Sequence, residues 1–217
     1  MKLKKIASLA LAGIMAVSML AGCKDNPSSS SEPTTPVSPV VGVAEGANAR
    51  INSHAKTVLG LSYTENADLA KALEAAAKDA YDSDAVEKIG NYADSADATT
   101  ATTEGAAVAK KITESLTGTS NSLNWTTNYF GLSKEGTKKA LWIFTVGGAF
   151  GTDDVGGFVE ANHMKNVMTN AQMPLTNGTY KADYTADIAA VKVTSADDST
   201  KSVWVVAVMV TQDVTKA

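Results

Sequence analysis

The chain has 217 residues, with 19 Lys and Arg against 23 Asp and Glu, a formal charge of −4, 44% hydrophobic residues and a single cysteine. One thiol excludes an intramolecular disulfide and a thiolate zinc site. An acidic, aromatic-poor chain without a Lys/Arg cluster argues against nucleic acid as a partner and against electrostatic docking to anionic lipid.

Lys2, Lys4 and Lys5 precede a charge-free run over 6–21 that ends in small residues, the layout of a secretory signal. The run is shorter than the roughly 20 residues of a spanning helix. Leu20, Ala21, Gly22 and Cys23 follow, and they resemble the lipobox of bacterial lipoproteins. The resemblance implies cleavage of 1–22 and acylation of Cys23, which accounts for a lone cysteine in an exported chain. Two or more acyl chains anchor a protein stably, so the membrane is one expected partner, met on its extracytoplasmic face. Without Lys2, Lys4 and Lys5 the balance of 19 basic against 23 acidic residues moves from −4 to −7.

Residues 23–43 carry Pro27, Pro33, Pro36 and Pro39 and the run of serines over 28–31. Such composition buries too little apolar surface to offset its chain entropy and predicts a disordered tether. Residues 44–217 then suit one domain.

Within it, Ala47, Ile51, Ala55, Val58 and Leu59 predict a helix over 45–59 stopped by Gly60. Ser62 with Glu65 fits a capping box for a helix whose stripe is Leu69, Leu73, Ala76 or Ala77, and Ala80. Residues 83–102 read as a loop, and 103–116 as a helix with Val108, Ile112 and Leu116 inward. A two-residue period at Leu123, Trp125, Thr127 and Tyr129 predicts a short strand. The apolar run over 140–146 predicts a buried strand. Residues 153–170 read as a helix capped by Asp153 or Asp154, with Val155, Phe158, Val159, His163, Val167 and Met168 on one face. Last, 187–194 and 202–211 predict an antiparallel hairpin joined by 195–201, and the run over 203–210 predicts a central strand covered on both faces. Helices early and strands late make the expected class α+β, helices packed on a small, mostly antiparallel sheet.

Gly60 and Leu61 leading into the small-residue stripe, the string His163, Met164, Lys165, Asn166, Val167, Met168, and the hairpin of 187–191 with Trp204, Val205 and Val206 resemble the CAP family in its bacterial form. This is the cysteine-rich secretory, antigen 5 and pathogenesis-related 1 group. The resemblance implies an α-β-α sandwich and a cleft in which His163 is the candidate catalytic residue and His163 and Asn166 are candidate ligand-binding residues. The cleft is degenerate: His54 lies too early to serve as the family's second histidine.

Chemistry read from the residues alone is sparse. His163, His54 and one carboxylate form the only histidine-based metal set open to the chain, and no cofactor is expected. No nucleophile elbow, phosphate-binding loop or dinucleotide fingerprint occurs, and Gly147, Gly148, Gly151, Gly156 and Gly157 read as turns around a helix start. Asp153 and Asp154 depart from EF-hand spacing. Trp125, Tyr129, Phe130 and Trp142 are either core or a sugar-stacking platform. The expected function is a tethered, non-catalytic module binding an extracellular ligand or protein. A CAP-like hydrolase or metal-dependent protein using His163, and a structural envelope component, are the alternatives.

Overall fold

The long apolar run near the C-terminus organises the molecule. In the computed structural model, which describes residues 37–90, 96–98, 103–117, 124–125, 130–169 and 172–217, strand β7 (Ser202–Lys216) lies between β6 (Tyr180–Thr194) and β5 (Gly136–Gly147). Every residue from Val203 to Val210 is buried. Strand geometry sends alternate side chains to opposite faces, and both faces here are covered. Trp204, Val206, Val208 and Val210 enter one core, while Val203, Val205, Ala207 and Met209 enter the other.

Around this centre the strand order is β1-β6-β7-β5-β3. Strand β1 (Val37–Val40) pairs antiparallel with β6, and β2 (Tyr63–Glu65) pairs with it in parallel; β3 (Ala96–Ala98) and β4 (Asn124–Trp125) flank β5, antiparallel and parallel respectively. The β6–β7 hairpin is in register from Tyr180↔Lys216 to Thr194↔Ser202. Ser195 Oγ accepts from the Asp197 and Asp198 amides in its turn.

Helices cover both faces. On one side are α1 (Val43–Arg50), α2 (Ser53–Thr57), α6 (Thr152–Val159), a π-helical turn (Glu160–Met164) and α7 (Lys165–Val167). On the other are α3 (Ala67–Ala80), α4 (Ser83–Gly90) and α5 (Thr103–Thr117). The class is α+β, with a mostly antiparallel sheet, as the sequence predicts. Among the described residues no helix is long and apolar enough to cross a membrane; the run over 6–21, Cys23 and most of the expected tether lie outside them.

Several expectations need correction. The tether cannot extend to residue 43, because Val37–Val40 is already an edge strand on β6; an edge position tolerates Pro39, which has no amide to donate. The helix over 45–59 is two helices. Asn52 breaks it by turning its side chain to the backbone, where Oδ1 accepts from Ala55 N at 2.8 Å. Residues 83–90 form α4, not a loop: Asp82 Oδ1 accepts from Ala85 N at 2.8 Å, and Val86 is buried with Ile89 packed beside it.

The capping box is absent as well. Ser62 precedes strand β2, and Asn66 caps α3 by accepting from the Asp68 and Leu69 amides at 3.0 Å each. The Glu65 carboxylate instead accepts from the Gly42 amide. Asn66→Ala should therefore lower stability by about 1 kcal/mol, and Ser62→Ala by less than about 0.5, in chemical denaturation. The α3 stripe itself stands, with Leu69, Leu73, Ala76 and Ala77 buried and Ala72 alongside. Asp153 and Asp154 do not cap α6; its N-cap is Gly151, and they occupy the exposed first turn.

Candidate functional site

Two constructions sit on the sheet face covered by α1 and α6. The first is a buried polar knot. Glu160 is 1% exposed, at the start of the π-helical turn. Its carboxylate accepts from the Tyr63 hydroxyl, from the Asn52 amide at 3.2 Å and from Asn52 Nδ2 at 3.4 Å. Asn48 holds Tyr63 by its backbone: Asn48 Nδ2 donates to Tyr63 O at 2.9 Å, and Tyr63 N donates to Asn48 Oδ1 at 2.8 Å. One carboxylate thus joins the α1–α2 corner, β2 and the π-helical turn. Burial, then the adjacent Glu160 charge and the hydrogen bond to it, hold the Tyr63 phenol well above its ordinary 10.0.

A reading at 3.6 residues per turn misses Glu160. In the face expected over 153–170, Val155, Val159 and Met168 are buried as predicted, and Phe158, His163 and Val167 are half-buried. Glu160 and Met164 are buried in addition. A π-helical turn inserts residues without advancing the chain by a full α-helical repeat, so the helix after Val159 presents a rotated set of side chains.

His163 stacks on Phe144 with centroids 5.0 Å apart at 29°, and lies 6.3 Å from the Phe158 ring. His54 is in α2, where its Nε2 is buried with no hydrogen-bond partner among the described residues. Among those residues no three His, Cys, Asp or Glu side chains converge as a metal set, so His163, His54 and a carboxylate do not meet.

The second construction is a pocket of about 300 Å³ lined by Trp142, Asn166, Val167 and Gln172. Trp142 stands on β5 at the position opposite Val208 of β7, two residues before Phe144, so it shares a face with the ring on which His163 stacks. Asn166 and Val167 come from α7, and Gln172 from the segment after it. The π-helical turn brings Asn166 to this place, and the strand period brings Trp142; neither is a neighbour of the other in sequence. Trp142 is 8% exposed and packs in the same core as Phe130, which is 1% exposed and meets Tyr184 edge-on at 5.6 Å and 79°. Trp125 belongs to β4, and Tyr129 lies outside the described residues.

In the glycine-rich segment Gly148 lies in a turn and Gly151 at the start of α6, as expected, but Gly147 ends β5 and two further glycines lie inside the helix. Gly156 and Gly157 are buried inside α6, where that helix crosses α1. A Cβ on Gly156 would lie 2.1 Å from Val43 O, and one on Gly46 would lie 1.8 Å from Asp153 O. The glycines permit backbone-to-backbone approach of two helices, which sets the roof over the polar knot. No protein-family model matches the sequence, and no curated protein and no solved structure matches it either.

Proposed function

We propose that this chain is a lipoprotein anchored through Cys23 to the extracytoplasmic face of a membrane, and that its folded part binds an extracellular ligand or partner without chemically changing it. The observation that carries the binding half is the pocket of Trp142, Asn166, Val167 and Gln172. Its lining offers an aromatic ring, an aliphatic side chain and two carboxamides. Such a lining holds and orients a ligand, and the described residues in it bring no acid, base or nucleophile. The anchoring half is supported by the basic start, the apolar run and the Leu20, Ala21, Gly22, Cys23 string. The proline- and serine-rich residues after Cys23 would space the folded part from the bilayer.

Bacteria expressing the full chain and fed an alkynyl palmitate should label it, and Cys23→Ser should abolish the label and release the protein from the membrane fraction. Undiminished labelling of the Cys23→Ser chain would overturn the anchor. Binding is tested by assaying the purified full chain against peptide, ester and glycan substrates, with no turnover expected. Turnover lost on His163→Ala would replace the binding reading by a CAP-like hydrolase. The stacking of His163 on Phe144 favours the non-catalytic reading, since an imidazole packed on an aromatic face is held by the core.

A further inference from the structure

We infer that the pocket takes an uncharged, polyhydroxylated ligand, one sugar ring of a neutral glycan. This rests on the binding reading above and specifies the chemistry of the same pocket. Its volume of about 300 Å³ stands at the small end of ligand sites, which run from roughly 300 to 1,000 Å³. That is room for a ring rather than for a length of extended peptide. Peptides are commonly held by main-chain pairing along a free sheet edge, whereas the walls here are side chains.

The lining selects further. Among the described residues no charged side chain lines it, so there a carboxylate, phosphate or ammonium would lose hydration without gaining an opposite charge. Asn166 and Gln172 each present donors and an acceptor, which matches hydroxyl groups that both donate and accept. Trp142 adds an apolar ring face and an N–H. Among the described residues, the Trp142 indole and the Asn166 and Gln172 carboxamides make no hydrogen bond within the protein. Comparable groups elsewhere are used internally. The Trp204 indole donates to Phe150 O at 3.0 Å, Asn162 Nδ2 to Phe158 O at 2.9 Å and Asn177 Nδ2 to Leu132 O at 2.7 Å. Three polar side chains left open around one concavity, beside an aliphatic wall from Val167, form a recognition set for a neutral polar ring.

The test uses the full acylated chain in detergent micelles. It is applied to three arrays: neutral hexose and N-acetylhexosamine oligosaccharides, uronate- and phosphate-bearing glycans, and peptides. Calorimetry follows on whatever binds. Neutral oligosaccharides should be retained, and Asn166→Ala and Gln172→Ala should each weaken them about tenfold, as loss of a ligand hydrogen bond does. Asn166 is exposed, so its variant keeps the fold, which circular dichroism verifies. Affinity should not change between about pH 5 and 8, the range in which histidine titrates. Preference for charged glycans or peptides with the same residue dependence overturns the glycan inference and leaves the binding module standing. Neutral glycans bound equally by both variants overturn the assignment to this pocket. No ligand on any array overturns both readings.

Discussion

Gly46→Ala should destabilise the folded protein by about 3 kcal/mol, the upper part of the range for overpacked interiors. The added methyl would lie 1.8 Å from the Asp153 carbonyl oxygen and 2.6 Å from its carbon, and both belong to backbone that cannot rotate away as a side chain would. The two helices must separate, which opens the contact that Gly156 makes with Val43 from the other side. Gly156→Ala should have an effect of the same size, and the double variant should cost less than the sum, because the first substitution has already parted the helices. For a protein of this size each kcal/mol lowers the melting temperature by about 2–4 °C, so either variant is read easily by calorimetry. Gly60→Ala is the control. Nothing lies within 4 Å of its Cβ position, and only its φ of +65° opposes a side chain, a cost of about 1 kcal/mol. Equal losses at Gly46 and Gly60 would show that the helix crossing is not the close contact described.

The second large effect is at Glu160. Glu160→Ala removes the acceptor of three donors, from Tyr63 and twice from Asn52. Leaving buried donors unsatisfied costs about 1–3 kcal/mol each, of which solvent reaching the half-buried Asn52 recovers a part; a loss of about 3 kcal/mol is expected. Glu160→Gln keeps an oxygen for Tyr63 or Asn52 but not for both, and should cost about half as much. The same knot makes stability depend on alkaline pH. The Tyr63 phenol is raised above its ordinary 10.0 in the folded state, so the folded state keeps a proton that the unfolded chain releases. The stabilisation is complete below about pH 10 and is lost as pH rises above it toward the folded value. Urea midpoints measured from pH 8 to 11 should therefore fall at the alkaline end. Tyr63→Phe should flatten that fall, while costing about 1 kcal/mol at pH 8 from the hydrogen bond. A fall of the same steepness in Tyr63→Phe would assign it to other groups.

Much of the architecture was legible because it depends on short periods. The hairpin, its turn, the central β7 and the buried β5 follow from alternation and runs of β-branched residues, and the α3 stripe follows from spacing of three and four. What misled was chemistry shared between alternatives. Ser62 with Glu65 satisfies a capping pattern, yet Tyr63–Glu65 found a parallel partner in β6, and the cap passed to Asn66. Asn52 reads as one more polar residue on a helix, although it ends one helix, opens another and donates twice to a residue 108 positions away. Glycines at 156 and 157 look like turn formers until α1 is laid across them.

The candidate site divides in the same way. His163 and Asn166 lie on one short string and were both visible, but only Asn166 lines the pocket, with Trp142, Val167 and Gln172. No spacing rule could pair Trp142 with Asn166, because strand β5 and helix α7, from different parts of the chain, meet there.

By itself, the order of residues determined the elements whose burial is periodic and the α+β class, and the proposed lipid anchor rests on the basic and apolar start ending at Cys23. Only the tertiary structure decided which polar residues are buried together and which remain open around a concavity. The reason is physical. Periodicity reports which side of an element faces apolar surroundings, a local property, whereas the environments of Glu160 and Trp142 are set by contacts distant in sequence.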